Sequence, residues 1–265
     1  MNVEQLLLVL PQHRGEATGP DLTIRRWSTI VEEFAEQGGS EVLLGGPEPL
    51  AFPGFWPLAR LRAGALRVTA FLSGSLLEPW VLRELLESGI HFLVALDSPG
   101  AEPHDAVRRP GAHARAVGAI DTLLAQGLAP RLGILATATR LNHGSLPELA
   151  GWAADRGLAR MAWTFVPEGG WPAPQLKALQ LTADEAGTLA GSMATAARSL
   201  AGRCHVGPLD PALDPTLGSG LTRLLRVTAQ GDAVWGLSAD GSRLGNLRWA
   251  TLKDLLDRAS QAAGD

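Results

Sequence analysis

Glu48, Asp97, His104 and Glu168 are the side chains of this sequence whose type and placement suit proton transfer or the binding of a hard cation. Each follows a short apolar run. Glu48 is framed by Pro47 and Pro49, which fix the local backbone. Asp97 ends the run Phe92–Leu96, a position where aspartate caps or turns the chain as readily as it reacts. The segment beyond it carries His104-Asp105 and Arg108-Arg109, and the next run leads to Thr139, Asn142 and His143. His13, His104 and His143 stand in polar segments, where a solvated imidazole is the commoner outcome. Ser73, Arg108, Asn142 and Trp171 add candidate binding groups, together with the Gly45-Gly46 pair ahead of Glu48. No Ser-His-Asp or zinc-ligand spacing stands out. No Gly-x-Gly-x-x-Gly follows the first apolar run, and no Gly-x-x-x-x-Gly-Lys-Ser/Thr occurs.

The elements that must position these groups alternate. Continuous apolar runs at Leu6–Leu10, Glu41–Leu44, Leu66–Leu72, His91–Leu96, Arg131–Thr137 and Arg160–Val166 read as strands buried on both faces. Between them, helical patterns are expected over Asp21–Gln37, Phe55–Ala63, Pro79–Ser88, Ala112–Gln126 and Leu146–Arg156. In the first helix Ile24, Trp27, Ile30, Val31 and Phe34 form one stripe, and Gly38-Gly39 ends it. Such βαβ units imply right-handed crossovers and parallel strands, and sites in these folds form beyond the strand ends. Periodicity alone leaves an open doubly wound sheet and a β/α barrel both standing. After Val166 the pattern changes. Thr182-Ala-Asp-Glu185 is a capping box opening a helix to about Leu200. Leu224–Thr228 and Ala233–Leu237 flank Ala229-Gln-Gly-Asp232 as a hairpin, and Leu252–Ala262 reads as a final helix.

Composition bounds the function. The 265 residues are 46% apolar, and 23 basic against 27 acidic side chains leave a net charge of −4. That balance argues against general nucleic-acid binding. There is one cysteine, Cys204, and no tyrosine. No internal disulfide can form, and no intrachain thiolate cage. Leu6–Leu10 is too short to span a membrane, and Met1-Asn-Val-Glu4 lacks the basic region of a signal peptide, so a soluble cytoplasmic protein is expected.

The order of the segments resembles the radical S-adenosylmethionine (radical SAM) enzymes, specifically those with a SPASM or twitch C-terminal extension. Glu41-Val-Leu-Leu-Gly-Gly-Pro-Glu-Pro-Leu50 is similar to the family's strand and Gly-Gly-Glu-Pro loop. Phe71-Leu-Ser-Gly-Ser-Leu-Leu77, Phe92-Leu-Val-Ala-Leu-Asp-Ser98, His104-Asp105 through Arg108, and Thr137 to Asn142 resemble further family segments in the same order. Gly231-Asp-Ala-Val-Trp235 and Leu244-Gly-Asn246 resemble the twitch hairpin. The resemblance implies an α/β fold: a partial (β/α)6 TIM-like barrel over residues 1–180, a connecting helix over 181–203 and a small α+β twitch-like extension over 204–265. It also exposes departures. The family's Cys-x-x-x-Cys-x-x-Cys falls where this chain has Pro11-Gln-His-Arg-Gly-Glu-Ala-Thr18, and Pro47 is inserted in the glycine-rich loop. His13 and Glu16 do not replace three soft ligands. The expectation is a cluster-free relative with no cofactor, no iron–sulfur cluster and no metal, for which S-adenosylmethionine binding in the family's manner is in question. It would serve as a binding scaffold or partner subunit for an active radical SAM enzyme, a precursor peptide or a small-molecule intermediate. The alternative is non-radical chemistry in the same cavity: acid/base, metal-assisted, or transfer chemistry dependent on SAM or a related nucleoside.

Overall fold

The computed structural model describes residues 3–11, 21–61, 65–166, 178–210, 224–237 and 243–262. They fall into two compact units, Met1–Phe71 with Ser219–Asp265, and Leu72–Gly218.

In the first unit β1 (Gln5–Val9) pairs in parallel with β2 (Glu41–Gly45), and β2 with β3 (Arg67–Leu72). Leu6, Leu7 and Leu8 are all buried, as a continuous apolar run requires of a strand covered on both faces. The connecting helix α1 (Ile24–Glu36) is capped by the Thr23 hydroxyl, which accepts from the Arg26 amide. It buries Trp27, Ile30, Val31 and Phe34, whereas Ile24, first in the expected stripe, is 41% exposed. Gly39 has a packing reason: a Cβ there would lie 2.2 Å from the Phe34 ring. The short helix α2 (Phe55–Ala59) stops earlier than expected.

The tail completes this unit. The strand β8 (Leu224–Val227) pairs in parallel with β1, Gln5 opposite Leu224. The strands β9 (Asp232–Trp235) and β10 (Arg243–Asn246) continue antiparallel, so the expected hairpin is β8–β9. Arg26 on α1 grips the turn before the last helix, donating to Leu247 O (2.6 Å) and Ala250 O (2.7 Å). Glu33, paired with Arg26, accepts from the Leu252 amide at 2.7 Å. It thereby satisfies a first-turn donor of the helix Leu252–Ala262.

The second unit is a parallel sheet in the order β4 (His91–Ala95), β5 (Leu132–Ala138), β6 (Arg160–Phe165) and β7 (His205–Pro208). The helices α3 (Pro79–Ser88), α5 (Ala112–Ala125) and α6 (Leu146–Asp155) follow the expected boundaries closely. Both halves of the capping box are present on α7 (Ala183–Ser199). Among the α-helices and strands of this unit, two are additions to the sequence reading. The helix α4 (Ala101–Val107) occupies what reads as a loop, and β7 pairs with β6. The strand β7 lies in the same unit as β6, and the β8–β9 hairpin in the same unit as β1. Among the described residues no helix is long and apolar enough to cross a membrane.

Candidate functional site

Asp97 leaves the end of β4 with no exposed surface. A carboxylate taken out of water needs partners for both oxygens. Arg108, at the C-terminal end of α4, donates through Nε to Oδ2 (2.7 Å) and through Nη2 to Oδ1 (3.1 Å). The Thr137 amide, near the end of β5, also donates to Oδ1 at 2.8 Å. Arg108 Nη2 reaches the Thr137 hydroxyl as well, at 3.3 Å. Burial opposes the guanidinium's charge, but the Asp97 carboxylate outweighs it and holds the proton more firmly than usual. The Arg108 side chain is one-third exposed (34%), and its Nη1 makes no hydrogen bond among the described residues. A guanidinium so held is aimed in advance, and a carboxylate or phosphate is the ligand class its open face suits.

Asn142 ties the strand ends together. Its side-chain amide donates to Asp97 O (2.6 Å) and Thr137 O (2.8 Å), and its oxygen accepts from the Thr139 amide at 2.7 Å. The Thr139 hydroxyl donates to the same oxygen. His104 is buried beside Asp97, and its Nδ1 accepts the Asp97 amide at 3.0 Å. A nitrogen that accepts in this way carries no proton, so the ring is neutral with its proton on Nε2. Burial, the largest influence, lowers the His104 pKa; Asp97 acts in the opposite direction. Asp105 accepts the amides of Gly111 and His113 and opens α5. The backbone donors of His113 and Gly111 hold its carboxyl below the usual range. Beside this network Ser98, Pro99, Asn142, His143, Ser145 and Glu148 line a cleft of about 630 Å³.

Of the sequence candidates, Asp97, His104, Arg108 and Asn142 converge. Ser73 lies in the same unit, its hydroxyl accepting the Ser75 amide, and Arg109 donates to the Ser75 hydroxyl. Gly45, Gly46 and Glu48 belong to the first unit. Gly46 has φ +124°, and a Cβ there would sit 2.6 Å from Leu10 O, so close approach to the end of β1 requires glycine. His13, Glu16, Glu168 and Trp171 lie outside the described residues. Of the four acid/base candidates, Asp97 and His104 adjoin one another and spend their facing atoms on Arg108 and on backbone. Thr137 was not among the candidate site residues, although it opens the Thr137–Asn142 segment of the resemblance.

An iron–sulfur cluster held by three thiolates does not fit the residues of this chain. Its one cysteine, Cys204, is buried ahead of β7 with its amide on Leu200 O, and burial pushes the thiol pKa up. Among the described residues no three His, Cys, Asp or Glu side chains group as metal ligands.

The sequence profile of the Radical SAM superfamily matches residues 10–153, more than half of the chain. The chain belongs to the radical SAM superfamily. It is 32% identical over 157 residues to the mycofactocin maturase MftC of Mycobacterium ulcerans, covering 58% of this chain and 42% of MftC. It is 35% identical over 117 residues to the AdoMet-dependent heme synthase of Methanosarcina barkeri, covering 42% of this chain and 34% of that protein. The chain thus spans less than half the length of these curated relatives. Its fold matches SuiB of Streptococcus suis, solved bound to S-adenosylmethionine, with TM-score 0.67 and 14% identity over 96% of this chain and 65% of SuiB. SuiB has also been solved bound to its precursor peptide SuiA. The likeness bears out the α/β class and the partial-barrel expectation. It also overturns the expectation of no cofactor and of doubtful S-adenosylmethionine binding. Radical SAM relatives bind S-adenosylmethionine and iron–sulfur clusters, and the matching fold was solved holding the former.

Proposed function

We propose that this radical SAM protein takes part in the maturation of a peptide or a cofactor, and that it does so as a binding or partner subunit that does not generate the radical alone. The observation that carries this reading is the single cysteine, sequestered in the core at Cys204. Reductive cleavage of S-adenosylmethionine draws an electron from a cluster whose thiolate ligands this chain does not supply in sufficient number. The Arg108 face, fixed by Asp97 and Thr137, supports a role for the strand ends in holding an anionic group of the bound molecule. The methionyl carboxylate of S-adenosylmethionine is one such group, and an acidic side chain of a precursor peptide is another. The relatives named for maturation and the SuiB complex with SuiA favour the peptide or cofactor context.

The test is anaerobic reconstitution of the purified chain with iron and sulfide, followed by dithionite and S-adenosylmethionine. No 5′-deoxyadenosine above the protein-free background is expected from the chain alone. Stoichiometric 5′-deoxyadenosine from the chain alone overturns the proposal.

A further inference from the structure

Two basic groups stand over one buried oxygen. Oδ2 of Asp97 is 2.7 Å from Arg108 Nε and 3.4 Å from His104 Nδ1. With His104 neutral there is no contest, because Nδ1 accepts from the Asp97 amide. Protonation reverses this. Nδ1–H then faces an N–H donor, its old hydrogen bond is lost, and the nearby acceptor able to take the new proton is Oδ2.

We infer that His104 is the proton switch of the Arg108 site: once charged it takes Oδ2 of Asp97 and loosens Arg108 Nε, so the guanidinium is fixed near neutral pH and released in mild acid. This rests on the reading of Arg108 as the anchor for an anionic partner, and it adds the regulation of that anchor. The release is partial, because Nη2 keeps Oδ1 and the Thr137 hydroxyl. Arg108 can turn to water, since a third of its side chain is exposed.

The groups that face His104 set the direction of its titration. Burial lowers its pKa most; Asp97 from β4 raises it, Arg108 and the His113 ring from α5 lower it, and Asp105 on α4 raises it. The His104 and His113 rings are 5.8 Å apart, and His113 Nε2 is 3.0 Å from Pro99 O. The folded value therefore lies below the ordinary histidine value of about 6.5. A depressed value means that the neutral ring contributes stability in full above the unfolded pKa, and that this is lost as pH falls through the folded one. The switch accordingly works on the acid side of the ordinary histidine range.

The Arg108 Nε–H and the His104 ring are both followed by heteronuclear NMR across this window. The expected result is that the Arg108 signal moves with the midpoint of the His104 ring. In His104→Asn, whose side-chain carbonyl can accept the Asp97 amide without titrating, the Arg108 signal should stay fixed. An Arg108 signal that is constant while His104 titrates, or that moves equally in His104→Asn, overturns the switch. If His104→Asn fails to fold, the two midpoints in the unmodified chain decide alone. The anchor reading is tested apart, by calorimetric titration with S-adenosylmethionine near neutral pH. Arg108→Lys is expected to weaken binding at least about tenfold, because an ammonium cannot keep the two-point contact with Asp97 that aims the open face of Arg108. Unchanged affinity there removes the anchor reading, while the coupling of His104 to Arg108 is judged by NMR.

Discussion

Arg108 and Asp97 lose different things when the other is removed. Asp97 has no exposed surface, so Arg108→Met leaves a buried charge with only the Thr137 amide and neighbouring dipoles. That is expected to destabilise the fold by about 3–5 kcal/mol. Asp97→Asn leaves a guanidinium that can reach water, and its cost should be smaller. Asp97→Leu combined with Arg108→Met should recover much of the loss, because no charge is then stranded. Urea denaturation of the four chains checks this order, and equal losses for the two single variants would count against it. This pair was only half legible in the sequence. Both residues sit beyond strand ends and both were singled out, but their contact depends on α4. That helix is seven residues long, carries Pro103 inside it and buries only His104 and Val107, so no apolar stripe announces it. Thr137 was hidden for another reason: its contribution to Asp97 comes from a backbone amide, which residue type does not encode.

At the scale of elements, signals that depend on neighbours in the chain were readable, and those that depend on partners far along it were not. The Thr182–Glu185 capping box is local and forms as expected, with the Glu185 carboxylate accepting the Thr182 amide at 2.7 Å. The Thr182 amide, as the largest influence, holds the Glu185 pKa below the usual range. Thr182→Ala should therefore cost about 1 kcal/mol, Thr182→Ser much less, as read by denaturant midpoint at unchanged slope. A cost near zero for Thr182→Ala would show that α7 is held by packing alone. By contrast β7 is four residues, His205–Pro208, with Gly207 and Pro208 among them, and nothing in its own composition marks it as a strand. It exists because β6 offers it a parallel partner.

At the scale of the molecule, the two units differ in how their sequences are laid out. The unit around β4 to β7 is one continuous stretch, Leu72–Gly218, whereas the other joins Met1–Phe71 to Ser219–Asp265. Its β1–β8 ladder closes over nearly the whole chain, and such long-range pairing forms slowly. Pulsed hydrogen exchange during refolding should protect amides of β4, β5 and β6 before those of β8. Simultaneous protection of β8 and β5 would contradict this order. The grip of Arg26 and Glu33 on the turn near Leu252 belongs to the same late stage. For a chain emerging from the ribosome, this means that β1, made before its partner β8, is among the last strands to be completed. Throughout synthesis one side of β1 waits for a partner not yet translated, and that interval is when a chaperone would matter most to this protein.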